Sequence, residues 1–470
     1  MASAAEQSLI ALLADEQRGL RRILFAGIAV LVVLVVMSGV LGAYYYFAAQ
    51  RLELALNHQA FNTQRALYQI QTNIAHQQVA FADAYQDIAS HEDIAVNGQT
   101  LAPARDAASN YLTRGTRLTA YNDLLLRAAA TKADAPQEKA LLAGVVALSD
   151  FALHGEAISA NANDPLPLRL SEAQEDFQHV ASGADSALAP VGHAGLAAIY
   201  FQIAQSGRSN FAQADCQHVF DEVGRSGVAG APPGPQPLYW EANCQRKLGH
   251  AAEALAFYTQ SAKGVPEQNI TGDNPDRAEL TLAQNAFHGI GTTLIALGAT
   301  AANNANLSDA LLIAHQRCTG AAPPPASASP QMQQALACLS RAIALRRQQR
   351  QSENEVAGTQ ENLGFAYLRD RDFDDAYRNA ASVHQNALNS WNELVRALSA
   401  KYVQQSAQDQ SLRQEAAAAS TDARRNVAFL PVGSFNVCEL QALLNPDLFS
   451  EATDIIKDAH PGEQVSCQRG

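Results

Sequence analysis

Short catalytic signatures are missing from this chain. It has no GxSxG elbow, no phosphate loop ending in Gly-Lys-Ser/Thr, no HExxH helix and no Rossmann glycine set. A basic stripe is missing too: the 470 residues carry a formal charge of −13. Phosphate backbones need clustered Lys and Arg, so nucleic acid is excluded as a partner. There are no CxxC or HxxxH pairs, and the 12 histidines are scattered, which removes the usual metal spacings and leaves no metal or cofactor assigned. Aromatic residues make up only 7%, and runs of Val or Ile are few beyond residue 50. That excludes a strand-built core and leaves a mostly helical body rich in Ala and Gln. Asp374 and Asp375 form a carboxylate pair, yet their place before a helical stretch suits the helix dipole better than acid–base chemistry. The chain is therefore expected not to be an enzyme.

What the chain does have is an uncharged apolar run from Ile23 to Phe47, just after Arg21 and Arg22. Roughly 20 apolar residues cross a bilayer. Arg18, Arg21 and Arg22 precede the run, and only Arg51 and Arg65 follow closely. Basic residues collect on the cytoplasmic side, so residues 1–22 are expected as a cytoplasmic tail, 23–47 as a transmembrane helix, and the rest as exported. Tyr44, Tyr45 and Tyr46 suit the outer headgroup layer. Ser38 and Gly42 have the small-xxx-small spacing that lets two spans pack, one route to a homo-oligomer. The alternative is a cleaved signal peptide cut near Gly42 and Ala43, for which the leading segment is long. The expected place is a single pass of a bacterial inner membrane with a periplasmic C-terminal domain. A eukaryotic type II protein, with acceptor sequons at Asn269-Ile-Thr271 and Asn306-Leu-Ser308, is the other setting.

All six cysteines lie beyond the apolar run, in three local couples. Cys216 and Cys244 bracket Ala231-Pro-Pro-Gly-Pro-Gln-Pro237, and Cys318 and Cys338 bracket Pro323-Pro-Pro-Ala-Ser-Ala-Ser-Pro330; Cys438 and Cys467 would tie the C-terminal tail to itself. An oxidising compartment permits three such disulfides. Six cysteines allow fifteen connectivities, and buried free thiols are the alternative.

Beyond the span, Ala60, Leu67, Ile74, Phe81 and Ile88 recur every seven residues, with Thr63, Ile70, Gln77 and Ala84 beside them. Thr63 and Gln77 make a poor coiled-coil seam, so packing on the following helices is expected. Residues 90–98 read as a break. Helical stretches then follow, with cap signals at Asp134-Ala-Pro136 and Asp164-Pro165. Residues 48–188 form a membrane-proximal helical region, 190–425 a region of paired short helices, and 426–470 a tail with Val427–Val437 extended and Pro446–Ala459 helical.

In the paired region, Asn362-Leu-Gly-Phe-Ala-Tyr-Leu-Arg-Asp-Arg-Asp-Phe-Asp-Asp-Ala376 resembles the tetratricopeptide repeat, with small Gly364, Tyr367, Phe373 and Ala376 at that family's spacing. Gly364 would lie against Ala376 and Ala380 where two helices cross. A second copy runs from Leu238-Tyr-Trp-Glu-Ala242 through Leu248-Gly249 to Ala254, Leu255 and Tyr258, with Gln245 where the family prefers an aromatic residue. A looser third has His288-Gly-Ile-Gly291, Leu297-Gly298 and then Asn306-Leu-Ser-Asp-Ala310 after a long turn. Ala342-Ile-Ala-Leu345 is similar to the longer-helix variant of kinesin light chains. The resemblance covers a little under half the chain.

It implies an all-α fold of stacked helical hairpins whose concave face, lined by each first helix, clasps a segment of another protein. On that face would lie Tyr239, Asn243, Arg246 and Lys247 in one copy and Glu361, Phe365, Leu368 and Arg369 in another. The function expected is an exported, membrane-anchored adaptor or scaffold for envelope proteins. The alternatives are a sensory subunit acting with a partner, since the cytoplasmic tail is too short for an output domain, and an enzyme without a recognisable motif.

Overall fold

The computed structural model of the chain describes residues 51–67, positions 37, 45, 46, 70 and 74, and residues 101–465 apart from 116–117, 119, 132, 229–231, 272–276, 299–306, 319–328, 350–352 and 386–387. The expected span Ile23–Phe47 lies outside the described residues save for three isolated positions, as do Phe81, Ile88, the break at 90–98, Asn306, Pro323 and Cys467. No helix among the described residues is long and apolar enough to cross a membrane.

The described residues are helical, with no strand among them. The chain divides into two units, Met1–Ala66 and Leu67–Gly470. Helix α1 (residues 51–67) exposes Leu52, Leu54 and Leu56 and buries Phe61. The heptad positions Ala60, Thr63, Leu67, Ile70 and Ile74 are all exposed. Polar Thr63 interrupts the stripe.

The second unit begins with α2 (Leu101–Arg114), α3 (Ala120–Ala130), α4 (Pro136–His154), α5 (Leu168–Ser182), α6 (Ala189–Gln205) and α7 (Gln213–Ser226). It continues with α8 (Pro235–Leu248), α9 (Ala251–Gly264), short α10 (Gln268–Thr271), α11 (Arg277–Leu297), α12 (Ser308–Cys318) and α13 (Pro330–Gln348). Then come α14 (Glu353–Arg369), α15 (Phe373–His384), α16 (Ser390–Ser406), α17 (Gln410–Phe429), α18 (Val437–Leu443) and α19 (Pro446–Ala459). Local chemistry sets many of these ends. Proline opens α4, α8, α13 and α19, where a missing N–H costs nothing. Asp372, Asn389 and Asn436 cap α15, α16 and α18 by accepting from Asp375, Asn392 and Glu439 N–H. Asp372 is thus the cap, with Asp374 and Asp375 in the first turn behind it. Helix α8 stops at Gly249, whose φ of 89° is left-handed; Gly249 N–H reaches Arg246 O and His250 N–H reaches Gln245 O.

Helices pack chiefly on their chain neighbours, from α4 on α5 through to α16 on α17. The first helices of successive hairpins, α4, α6, α8, α11, α14 and α16, also touch one another in that order and make one continuous face. The hairpin series starts at α4, and one apolar core runs from Ala104 to Cys244 across position 190. The partner of α11 is α13, while α12, the helix at Ala310 expected to pair with α11, packs instead on α9 and α13. Small residues set the crossings: a Cβ on Gly289 would lie 2.4 Å from the Tyr258 ring, and one on Gly195 2.5 Å from Phe177. At Gly364 the near neighbours are Val395 Cγ1 at 2.9 Å and Asn379 Nδ2 at 3.2 Å, not Ala376. Its small size serves the next hairpin.

Cys318 and Cys338 are disulfide-bonded, with Cα atoms 4.7 Å apart, and this ties α12 to α13. Cys438 is also disulfide-bonded. Cys216 and Cys244 differ from the expectation: they are free, buried thiols, with Cys244 hydrogen-bonded to Cys216. The tail is not extended at Val427–Val437, because α17 continues to Phe429 and Val432–Ser434 forms a 3-10 turn.

Candidate partner-binding groove

The first-helix face is already covered by two pieces of the chain itself. Helix α2 lies against α4, α6 and α8, and α18 against α11 and α14. The α18 contact is where the expected binding residues collect. Arg246 and Lys247 stand in the last turn of α8 because Gly249 ends the helix there. Both reach Glu439 in the first turn of α18: Arg246 pairs with one carboxylate oxygen, and Lys247 Nζ lies 2.9 Å from the other. Burial alone would raise the Glu439 carboxyl; Arg246 and Lys247 outweigh it and hold it at about 2. Further along, the Arg369 guanidinium donates to Ala442 O, and Asn445 Nδ2 donates to Arg369 O at 2.9 Å. Ser390 Oγ donates to Ser434 O at 3.2 Å. Leu440, Leu443 and Leu444 of this segment are buried.

Beneath Glu439 lies a buried layer. His288 on α11 shares a hydrogen bond of 3.1 Å with Thr359, and burial, with Arg346 and Arg246 nearby, pushes its imidazole down to about 3. Buried Tyr258 meets Tyr239 with ring centroids 6.0 Å apart. Asn243 Nδ2 donates to Tyr239 O at 2.9 Å, within its own helix. Glu361 accepts from Asn389 Nδ2, and burial raises its carboxyl to about 8. Phe365 and Leu368 need correction: both are fully buried, and Phe365 sits edge-on to Trp391 at 5.3 Å. Phe365 thus packs α14 on α16. Of the eight residues proposed from sequence, Arg246, Lys247 and Arg369 meet at α18. Glu439, His288 and Arg346 were missed, although Asn436 three residues before Glu439 is a cap signal.

Two other clusters gather ionisable groups away from α18. His384, Glu393 and Asp422 bring possible metal-ligand atoms within 4.8 Å of one another. Arg396 Nη1 stands among them, 2.7 Å from Asp422 Oδ2, 3.2 Å from His384 Nδ1 and 3.3 Å from Glu393 Oε2. The guanidinium occupies the place a metal ion would take. A cleft of about 500 Å³ between α3, α4 and α5 is lined by Arg127, Asp150, Arg169, Glu175 and Asp176 among others. Arg127 is held by Asp123 and Asp150, and Arg169 by Glu156. Burial, then Glu172 and Glu175, raise the Asp176 carboxyl to about 6. No Ser, Cys or His lines the cleft among the described residues; its ionisable groups are carboxylates and guanidiniums.

No protein-family model matches this chain, and no curated protein is significantly similar to it.

Proposed function

We propose that this chain is an adaptor of the tetratricopeptide-repeat kind, anchored in a bacterial inner membrane through Ile23–Phe47, whose first-helix face holds segments of envelope proteins outside the cytoplasm. The observation that carries this reading is the seat of α18. Arg246, Lys247 and Arg369, on first helices of two hairpins, take the carboxylate and a carbonyl of a short amphipathic helix. Recognition of a helix in a groove uses the same elements: apolar anchors flanked by fixed charges.

The test is cross-linking in intact membranes with the full chain, followed by capture, with Arg246→Glu/Lys247→Glu in parallel. Proteins enriched by the wild type and lost from the charge-reversed chain are the expected result. Equal enrichment with both chains, or none above an unrelated anchored protein, rejects the reading. Topology is tested by fusions after Gly470: active alkaline phosphatase with dark green fluorescent protein is expected.

A sensory subunit acting with a partner is the second reading, and the ionisable cleft near Asp150 and Asp176 is what favours it. Small cations that raise the melting temperature of the wild type but not of Asp176→Asn would support it.

A further inference from the structure

Helix α18 has the makings of an internal ligand. It is seven residues long, far below the length at which an isolated helix holds in water. Its order is therefore supplied by the groove together with the disulfide at Cys438. Asn436 caps it and places Glu439 in its first turn, the Asn436 oxygen accepting from Glu439 N–H at 3.2 Å. Leu440, Leu443 and Leu444 point inward and Gln441 outward. Among the described residues the array side reads one carboxylate, through Arg246 and Lys247; an apolar stripe; backbone carbonyls at Ala442 and Ser434, through Arg369 and Ser390; and the Asn445 amide, through Arg369 O. Backbone contacts are blind to sequence, so any helix of this pattern satisfies them.

The neighbouring α19 is held separately. It packs on α16 and α17, where Lys401 Nζ and Tyr402 Oη bind Glu451 at 2.6 and 3.0 Å. The tail therefore stays anchored when α18 leaves its seat. Tethering also gives α18 a high effective concentration, so only a segment that binds well or is locally abundant displaces it.

We propose that α18 is a displaceable occupant of the partner groove. The groove takes from other proteins a short amphipathic helix with an acidic residue in its first turn and Leu-like side chains one, four and five positions later. Val437–Leu444 holds the seat until such a segment arrives. This rests on the adaptor reading of the same face.

The probe is a fluorescent peptide covering Ser434–Leu448 with Cys438→Ser, added to the purified full chain. Anisotropy reads binding, and hydrogen exchange reads residues 437–444. Millimolar peptide is expected to raise exchange at 437–444 without changing α16. The chain carrying Glu439→Lys should bind the peptide about tenfold more tightly than the wild type, the gain from freeing a groove open roughly a tenth of the time. A Glu439→Lys peptide should bind neither chain. If the Glu439→Lys chain is unfolded by circular dichroism, Glu439→Gln replaces it, with a gain of about threefold expected from a partial opening. Unchanged protection of 437–444 at millimolar peptide, with no binding to any chain, overturns the proposal and makes α18 a fixed brace. The adaptor reading is judged apart from this: partners captured in membranes while 437–444 stay protected would keep that reading and reject displacement.

Discussion

Arg246 and Glu439 stand 193 positions apart in sequence, yet their side chains meet in an ion pair that is 18% and 21% exposed. The pair closes the C-terminal tail over the first-helix face. Because both charges are largely removed from water, losing one partner costs more than an exposed salt bridge would, roughly 3–5 kcal/mol when the other is left alone. Lys247 also contacts the carboxylate, so Arg246→Ala should cost less than Glu439→Ala, which strands two cations.

The pH dependence of tail docking follows. The Glu439 carboxyl sits at about 2 when folded, below its unfolded value. Its contribution is complete above about pH 4.3 and is lost as pH falls toward the folded value; on the order of 3 kcal/mol is at stake. His288, held at about 3, refuses a proton that the unfolded chain accepts below about pH 6.5, so it too lowers stability as pH falls. Both slopes have one sign. Limited proteolysis should find residues 430–445 increasingly cut, and the melting temperature falling, between about pH 4.3 and 3, where Glu439 and His288 act together and Glu361 is protonated in both folded and unfolded chain. A melting temperature constant over that range would contradict this account.

Glu361 works in the other direction. Its carboxyl, raised to about 8 by burial, keeps a proton in the folded chain that the unfolded chain gives up above about pH 4.3. The stability it holds at low pH is lost as pH rises to about 8. Glu361→Gln keeps an acceptor for Asn389 and does not ionise, so the variant should lose less stability than the wild type between pH 5 and 8. Parallel melting curves across that range would show that Glu361 is already charged.

The glycine crossings are testable by adding one methyl group. Tyr258 is only 1% exposed, and a Cβ at Gly289 would meet its ring at 2.4 Å, whereas Val395 at Gly364 lies at 2.9 Å. Overpacking costs about 1–3 kcal/mol. Gly289→Ala should therefore lower the melting temperature more than Gly364→Ala, and Val395→Ala should partly rescue Gly364→Ala. No rescue would place the strain elsewhere.

The elements legible in the sequence were those set by neighbours in the chain. Gly249, Pro235, Pro446 and the Asp370–Asp372 turn fix helix ends within a few residues, so the hairpins and α19 could be drawn in advance. Arg369 and Phe365 show the limit: periodicity marks a stripe, but only the neighbouring hairpin decides which stripe is inside, and Trp391 claims Phe365. The docking of α18 depends on contacts nearly two hundred residues away, and nothing local to Glu439 announces Arg246.

The cysteines give a chemical readout. Cys318 and Cys338, separated by 20 positions, should appear as a linked peptide in the unreduced protein, and opening that loop should cost about 3 kcal/mol. The Cys216 neighbour and burial push the Cys244 thiol far up, so both thiols should be alkylated only in denaturant. The expected count is two reactive thiols in unreduced, unfolded protein. A count of zero would mean that Cys216 and Cys244 are joined.

Arg396 provides the last test, because it does for three helices what a metal ion would do. Glu393 is completely buried, and Arg396, His384 and Asn426 are its partners. Arg396→Ala leaves this carboxylate without its guanidinium, and removal of one member of such a group costs roughly 3–5 kcal/mol. The variant also leaves His384, Glu393 and Asp422 with ligand atoms within 4.8 Å of one another, a donor set that suits zinc with water as a fourth ligand. Zinc should therefore raise the melting temperature of Arg396→Ala and leave that of the wild type unchanged, since the guanidinium blocks the place. Arg396→Lys, which keeps a cation on a shorter reach, should fall between them and ignore zinc. Stabilisation of the wild type by zinc would mean that Arg396 yields its position to a metal ion. An unaffected Arg396→Ala would mean that helices α15, α16 and α17 hold together without this cluster.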